Sequence, residues 1–226
     1  MFDNNEVDGE KFEDDIGDYI NSGFVELINC RGLRQAQLKA YNECYERFNK
    51  YYDWIMFYDA DEFVNLKDFK SMKSYLNDKR FEECEKVQLN WVYHTDNGKL
   101  YYEDKPLKER FPEIDKYARE NNSNIKREVK SALRGNLTNI NIFCPHALVK
   151  KNKNCNGYGK REKSLYFTEH PDFHDYYIDH YCWKSTFEFI STKLNRTDAI
   201  FDSNFDFNTY KIKIYFDMKL QKKKLI

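Results

Sequence analysis

The stretch DWIMFYDADEFVNL, residues 53–66, decides how the fold of this chain is interpreted. Residues 54–58 are all apolar or aromatic, which is typical of a strand buried on both faces in the middle of a parallel sheet. Asp59, Asp61 and Glu62 follow directly. Ligands bind at the carboxyl ends of strands in open α/β sheets, and carboxylate oxygens are suitable ligands for Mg²⁺ or Mn²⁺. The stretch therefore predicts a metal-diphosphate site, and the alternative is that the acids only form a turn or cap a helix.

The residues before this stretch predict a strand and a helix. Residues 24–28 (FVELI) have the composition of a short strand, and residues 33–49 carry apolar side chains at spacings of three and four. That spacing is typical of an amphipathic helix. Because the helix leads straight into the strand at Trp54, the order predicts a parallel strand pair with a right-handed crossover.

The residues after the acids predict further elements. Asp68 can cap a helix that presents Phe69, Met72, Tyr75 and Leu76 on one face, and alternation over residues 87–93 predicts a strand with one wetter face. Further along, we expect loops at 99–127 and 152–163 and strands at 140–149 and 176–183. A capping box at Ser185 predicts the start of a helix that turns Phe187, Ile190 and Leu194 inward.

Composition limits the classes of function. The 226 residues suit a single α/β domain, and a net charge of −1 gives no overall field that would favour nucleic acid. We therefore expect no nucleic-acid partner. The C-terminal sequence LQKKKLI, residues 220–226, is basic. We interpret it as a solvated end, or at most as a peripheral contact with anionic lipid.

The cysteines predict a reduced protein. Six are scattered without a Cys-x-x-Cys pair, which does not favour a structural zinc site, and no signal peptide or apolar membrane span occurs in the sequence. We therefore expect free thiols and a cytoplasmic location. The glycosylation sequons at Asn121, Asn136 and Asn195 would then be chance matches in an asparagine-rich chain.

Three segments resemble the motifs of glycosyltransferases of the family 2 and family 92 type. They are FDNN followed by DG (residues 2–9), DWIMFYDADEF (residues 53–63) and HYCWKSTFEFISTKL (residues 180–194), and a weaker likeness joins Gln37 with Ala40-Tyr41-Asn42 and Cys44. The resemblance implies a GT-A fold, which is a Rossmann-like, mixed but mostly parallel sheet flanked by helices. It also implies that the fold is truncated at its N-terminus, because a strand and helix normally precede the DNN segment.

The resemblance also implies an organisation and a set of roles. Within one domain, residues 1–98 would form the nucleotide-sugar and metal half, residues 99–200 the acceptor side, and residues 201–226 a helical basic tail. The implied site residues are Asp59 and Asp61 for the ribose and the metal-diphosphate, His180 for a further metal or diphosphate contact, Lys184, Lys193 and Arg196 for diphosphate charge, and Asp3 near the base or ribose.

The expected function is transfer of a sugar from a nucleotide-sugar, with UDP-sugar the expected donor, to a glycan, lipid-linked or protein-linked saccharide. Mn²⁺ or Mg²⁺ would be the cofactor, and an inverting outcome would need a base opposite the leaving group. Asp96 is the candidate base, with Glu103 and Asp104 as rivals, and a turn role is the alternative for each. Two other functions stay open: an inactive nucleotide-sugar binding or scaffold protein, and a phosphatase of the haloacid type.

Overall fold

The computed structural model describes residues 1–5, 7–33, 36–115, 128–150 and 153–193. Its eight described strands are β1 (Phe2–Asp3), β2 (Ile28–Asn29), β3 (Trp54–Met56), β4 (Glu62–Leu66), β5 (Lys86–Tyr93), β6 (Val129–Arg134), β7 (Asn154–Asn156) and β8 (Tyr176–His180). The described helices are α1 (Phe12–Asn21), α2 (Gln37–Phe48), α3 (Met72–Leu76), α4 (Leu107–Arg110) and α5 (Thr186–Glu188), with a 3₁₀ turn at Lys79–Phe81 and a π-helical turn at Phe189–Lys193. The predicted tail at 201–226 lies outside the described residues.

The main sheet is mixed and six-stranded. Its order is β3-β6-β5-β8-β4, and β7 also pairs with the first residues of β5. The pairs β3–β6, β5–β6 and β4–β8 are antiparallel, whereas β5–β7 and β5–β8 are parallel. The α/β prediction is therefore confirmed, but the described strands do not form the mostly parallel sheet that we expected.

The strand at Trp54 differs from its prediction in pairing. β3 lies at one end of the sheet order and pairs antiparallel with β6. Its apolar run has another cause. Trp54 and Met56 pack on one core cluster with Trp91, while Ile55 and Phe57 pack on a second cluster with residues of α2. A strand covered on both faces therefore need not be central.

The predicted parallel crossover is wrong. The strand expected at residues 24–28 is only β2, Ile28–Asn29, and it pairs with β1 in a separate two-stranded sheet. The helix between the two expected strands does form, as α2, and buries Ala40, Tyr41 and Tyr45. Tyr41 stacks on Phe57 with ring centroids 4.0 Å apart. Local periodicity predicted the helix, whereas pairing depends on partners distant in sequence.

The polar face of β5 is buried, so the expected wetter face is wrong. All eight residues of the strand are buried. Three polar side chains on one face donate hydrogen bonds to loop carbonyls, Lys86 to Ala147, Gln88 to Leu165 and Asn90 to Asp172, at 2.7, 2.7 and 2.8 Å. Buried polar groups need such partners, and here the loops after β6 and β7 provide them.

Lys86 gives a pH-dependent prediction. Burial lowers the pKa of its ammonium to about 8. Since the unfolded chain holds that proton more tightly, the cost of burying the charge is complete below pH 8 and disappears as the pH approaches 10.5. We expect the difference in unfolding free energy between wild type and Lys86→Met to shift by about 2 kcal/mol, in favour of wild type, from pH 7.5 to 9.5.

Urea unfolding at the two pH values measures this difference. Lys160→Met is the control because Lys160 is exposed, and its difference from wild type should not change with pH. A difference for Lys86→Met that stays constant from pH 7.5 to 9.5 would show that the buried amine carries no charge penalty.

Four local predictions need correction. Helix α3 is capped by Ser71, whose hydroxyl accepts from Ser74, and not by Asp68. Residues 140–149 form an irregular segment with a turn at 145–147 instead of a strand, and β7 lies inside the expected loop at 152–163. The capping box at Ser185 is confirmed, but Phe187 and Ile190 are exposed and Phe189 is the buried residue. Leu194 lies outside the described residues.

The expectation of free thiols throughout is also wrong. Cys84 and Cys155 form a disulfide in the core between the segment before β5 and strand β7, while Cys30, Cys44, Cys144 and Cys182 take part in no disulfide. Disulfides are uncommon in cytosolic proteins, so this bond argues against a reduced compartment, and the cytoplasmic location stays a prediction. In the described part of the chain, every helix is too short or too polar to span a bilayer.

Candidate active site

A tight turn between β3 and β4 carries the three acids. Asp59 and Asp61 lie in the turn, and Glu62 is the first residue of β4. The backbone N–H of Glu62 donates to the carbonyl of Asp59 at 3.1 Å, and the N–H of Asp59 donates to the Glu62 carboxylate at 3.2 Å. These two hydrogen bonds fix the turn and direct the Asp59 and Asp61 carboxylates to different partners.

Asp59 and Glu62 share a buried lysine. The Lys130 ammonium lies 2.9 Å from the Asp59 carboxylate and 3.5 Å from that of Glu62. The Lys130 and Glu62 side chains are 1% and 0% exposed, whereas Asp59 is 44% exposed. Lys130 belongs to β6 and Glu62 to β4, with β5 and β8 between them in the sheet, so the contact requires the sheet to curl.

The charges of this group depend on burial. Burial raises the pKa of Glu62 to about 8, although the neighbouring Lys130 opposes the shift. Burial alone would lower the pKa of Lys130, but the acidic groups of Tyr41, Glu62 and Asp59 outweigh it and raise that pKa above its usual value. Lys130 is therefore a permanent cation at this end of the sheet.

Asp61 faces a second, separate set of partners at the end of β8. One of its carboxylate oxygens lies 3.9 Å from His180 Nε2, and the other lies 3.5 Å from the Lys184 ammonium. The pairing of Glu62 with His180 brings the two strand ends together, and the N–H of Tyr181 donates to the Asp61 carbonyl at 3.0 Å. We call Asp61, His180 and Lys184 the Asp61 corner.

The Asp61 corner fits part of a divalent metal site. Ligand atoms bind Mg²⁺, Mn²⁺ or Zn²⁺ at about 2.0–2.2 Å, so two ligands of one ion lie at most about 4.3 Å apart. The 3.9 Å between Asp61 and His180 is within that limit. No group of three or more histidine, cysteine or carboxylate side chains suited to a metal occurs among the described residues. Further ligands would have to come from a substrate phosphate or water.

His180 is held in place by β5 and by aromatic rings. The N–H of His94 donates to the His180 carbonyl at 3.1 Å, and the ring of His94 lies 2.7 Å from the Asp179 carboxylate. The His180 ring packs against Trp91 and Tyr93, with centroids 4.3 and 5.3 Å away. The imidazole is therefore fixed at the edge of the core before any ligand binds.

The candidate base Asp96 lies in the turn that follows β5. It is 2% exposed, and its carboxylate accepts from the N–H of Gly98 at 3.2 Å. Farther along the same loop, the Lys99 carbonyl accepts from Thr186 at 3.0 Å, so the loop runs beside β8 and α5. Asp96 therefore forms part of a turn, which was the alternative to a catalytic role, and its side chain is buried there. Its role as a base stays a prediction.

The two rivals of Asp96 have other contacts. Glu103 pairs with Lys99 at 2.8 Å, and the hydrogen bond from Lys99 lowers its pKa. Asp104 is exposed, and its carboxylate accepts from Tyr102 at 3.4 Å. Neither carboxylate has a described contact with the Asp61 corner.

Asp3 is bound within the N-terminal segment. Its side chain is 1% exposed and lies 2.8 Å from the Arg31 guanidinium, which also donates to the carbonyls of Gly9 and Glu10. The structure thus gives Asp3 a structural role, and its contact with a nucleotide stays a prediction. Lys193 ends the π-helical turn, but its side chain lies outside the described part of the chain, as does Arg196.

Comparison with known protein families shows to which family the chain belongs. The sequence model of glycosyltransferase family 92 matches residues 5–222, nearly the whole chain. The chain belongs to glycosyltransferase family 92. The resemblance seen in the sequence is therefore confirmed for family 92, and membership supports a transferase with a sugar donor and a glycan acceptor. A search of curated proteins finds no match.

Sequence reasoning missed three residues near the site of this family 92 chain: Lys130, Trp91 and His146. Lys130 alternates with apolar neighbours in β6, and a lysine on a strand face is usually solvated. Trp91 and His146 lie outside the segments that resemble family motifs. The only available signal was a charged residue inside an otherwise buried segment, VKSALR, because contacts across the sheet are not visible in sequence.

Proposed function

We propose that this family 92 chain transfers a sugar from a nucleotide-sugar, with UDP-sugar as the expected donor, to a hydroxyl of a glycan or glycolipid, and that the reaction depends on Mn²⁺ or Mg²⁺. The observation that carries the proposal is the Asp61 corner, where a carboxylate lies 3.9 Å from an imidazole and 3.5 Å from an ammonium. This corner lies at the end of strand β8. We also propose that the elements around it have the arrangement of a GT-A fold.

The Asp61 corner would hold the metal and the diphosphate. Asp61 and His180 are the proposed metal ligands, and Lys184, which is 32% exposed, would contact a phosphate oxygen. A bound divalent ion would stabilise the negative charge of the departing diphosphate as a Lewis acid. Lys193 and Arg196 are proposed to add positive charge from the segment that follows α5.

Asp59 would act differently from Asp61. Its carboxylate already pairs with Lys130, and its 44% exposure leaves part of it open to solvent. We therefore propose that Asp59 contacts the ribose or a metal-bound water and that Asp61 is the direct metal ligand. Lys130 and Glu62 would hold the turn in place when the metal and the diphosphate bind.

The acceptor side is proposed to include Asp96. An inverting transfer needs a base that removes the proton of the acceptor hydroxyl on the face opposite the diphosphate. The loop that carries Asp96 runs beside β8 and α5, and Asp96 is 2% exposed. Inversion and this role are both proposals.

A second candidate is a nucleotide-sugar binding protein without transferase activity. It is favoured by the pairing of Asp59 with Lys130, which occupies one of the two aspartates, and by the absence of a three-ligand metal group among the described residues. Such a protein would still bind UDP through the Asp61 corner but would not cleave a UDP-sugar.

One experiment separates these functions. The chain is incubated with UDP-glucose, UDP-galactose or UDP-N-acetylglucosamine, in MnCl₂ or in EDTA, and both UDP release and UDP affinity are measured. We expect release from one donor in Mn²⁺ and none in EDTA. Affinity for UDP without release from any donor would support the binding protein, and neither affinity nor release in Mn²⁺ would reject the proposed function.

A further inference from the structure

The turn after β6 carries a sequence motif that the proposed function does not use. Residues 136–138 are Asn-Leu-Thr, which matches the Asn-x-Ser/Thr pattern of N-glycosylation sites. We expected such matches to arise by chance, because the scattered cysteines predicted a reduced protein. The disulfide between Cys84 and Cys155 removes that reason. The other two sequons lie outside the described residues.

Both residues that the pattern specifies lie at the surface. Asn136 and Thr138 are exposed, whereas Leu137 between them is half-buried and packs against the core cluster under α2. The backbone N–H of Asn136 donates to the carbonyl of Asn49 at 2.9 Å. Asn136 has a positive φ of 58°, a conformation that asparagine adopts more readily than most residues. The turn is therefore anchored through its backbone and Leu137, while the two side chains that glycosylation needs stay accessible.

The disulfide indicates independently in which kind of compartment the chain folds. Cys84 and Cys155 are 2% and 0% exposed and belong to the core cluster that contains Trp91. They lie 71 positions apart in the sequence, and the bond joins two segments of the main sheet region. Such bonds form and persist in oxidising compartments, among them the lumen of the secretory pathway. Surface Asn-x-Ser/Thr motifs are glycosylated in proteins of that pathway.

Asn136 lies away from the candidate active site. Strand β6 runs from Val129 to Arg134, and Lys130 near its start pairs with Asp59. A strand advances about 3.3 Å per residue, so roughly 13 Å separate Lys130 from Arg134. Asn136 lies beyond Arg134, at the opposite end of the strand. A glycan attached there would leave the Asp61 corner open.

We propose that Asn136 carries an N-linked glycan, which the chain acquires in an oxidising compartment of the secretory pathway. The side-chain amide nitrogen forms a bond to the anomeric carbon of an oligosaccharide that is carried on a lipid diphosphate. The bond between that carbon and the diphosphate oxygen breaks, the amide loses one proton, and the lipid diphosphate leaves. The co-substrate is this lipid-linked oligosaccharide, and a membrane oligosaccharyltransferase of the cell performs the transfer.

This inference is independent of the sugar transfer proposed for the chain itself. It and the cytoplasmic location that the sequence predicted exclude one another. Modification of Asn136 therefore also decides the location, and its outcome leaves the proposed role of the Asp61 corner unchanged.

The test uses the protein purified from the cells that naturally express it. Trypsin cleaves after Arg134 and Lys150, so the peptide 135–150 contains Asn136 as its only sequon asparagine. Its mass is measured before and after treatment with peptide N-glycosidase in water labelled with heavy oxygen. We expect most copies to carry a glycan, and the enzyme should convert Asn136 to a labelled aspartate. Unreduced digests should also contain the peptides of Cys84 and Cys155 as one linked species.

Variants expressed in the same cells assign the modification to the motif. Asn136→Gln and Thr138→Ala should both lose the glycan, whereas Thr138→Ser should keep it. Thr138→Ala leaves the positive φ of Asn136 undisturbed, so strain at that position would not explain its result. Asn139→Gln is the matched control, because Asn139 is exposed in the same segment and has a φ of 56° but begins no sequon. It should keep the glycan.

Two results would overturn the inference. The first is an unmodified Asn136 in the native protein, and reduced Cys84 and Cys155 in the same sample would then support the cytoplasmic location. The second is a glycan that stays on the peptide 135–150 in Asn136→Gln or in Thr138→Ala, since the sequon would then not be the acceptor.

Discussion

Asp61→Asn should reduce Mn²⁺-dependent release of UDP from a UDP-sugar by at least about 100-fold, which corresponds to about 3 kcal/mol of lost stabilisation. The substitution keeps the size of the side chain but removes the negative charge that faces His180 and Lys184 at 3.9 and 3.5 Å. An amide is a much weaker ligand for a divalent ion than a carboxylate. We also expect Mn²⁺ titrations in the presence of UDP to show a matching loss of metal affinity.

Asp68→Asn is the matched control for this result. Asp68 lies in the segment after β4, is exposed, and loses the same charge on substitution. It should keep wild-type UDP release and wild-type Mn²⁺ affinity. Because asparagine has the size of aspartate and leaves no cavity at this position, where the side chain is 14% exposed, both variants should also melt within a few degrees of wild type. Full activity in Asp61→Asn would show that the Asp61 corner is not the metal-diphosphate site.

Lys130→Met should lower the unfolding free energy by about 3–5 kcal/mol, because it breaks a buried ion pair by removing one partner. The Glu62 side chain is 0% exposed and would lose its counter-ion while Asp59 stays close. Because the pKa of Glu62 is about 8, Glu62 is mostly protonated at pH 7, so the comparison is made at pH 9, where this carboxylate is charged in the wild type. Urea unfolding measures the effect.

A second substitution tests whether charge is the cause. In Lys130→Met with Glu62→Gln, position 62 carries no charge at pH 9, so the double variant should regain a large part of the stability lost at that pH. Glu62→Gln alone should cost less than Lys130→Met, because Lys130 keeps its pairing with Asp59 at 2.9 Å. If Lys130→Met unfolds at the same urea concentration as wild type, or if the double variant is no more stable than Lys130→Met, the charge argument is wrong.

The parts of the fold that depend on neighbouring residues could be predicted from sequence. Helix α2 follows the spacing of its apolar residues, β8 follows its apolar and aromatic composition, and the capping box at Ser185 is set by Glu188 three residues later. The acids after β3 were also found from sequence, since they follow an apolar run. In each of these segments the signal and the structure lie within a few residues of one another.

The pairings could not be predicted because they join distant parts of the chain. β3 pairs with β6, about 80 residues later, and Lys130 reaches Asp59 across 71 positions. No local pattern shows which strand faces which, or that the polar face of β5 would be covered by loops that accept its hydrogen bonds. The disulfide between Cys84 and Cys155 spans a similar distance, and scattered cysteines gave no sign of it.

The different partners of the two aspartates also depend on the tertiary structure. The sequence places Asp59 and Asp61 two positions apart, which suggests a shared ligand. In the structure Asp59 pairs with Lys130, and Asp61 faces His180 and Lys184. The curl of the sheet brings β6 to one side of the turn and β8 to the other side. Trp91 contacts both His146 and His180 for the same reason.

Anomalous diffraction from a crystal soaked in MnCl₂ and UDP tests the central claim most directly. The Asp61 corner predicts one strong manganese peak within about 2.0–2.3 Å of an Asp61 carboxylate oxygen and of His180 Nε2, with the diphosphate beside Lys184 and with Lys130 still paired with Asp59. A manganese peak remote from Asp61 and His180, with UDP bound elsewhere, would contradict the account.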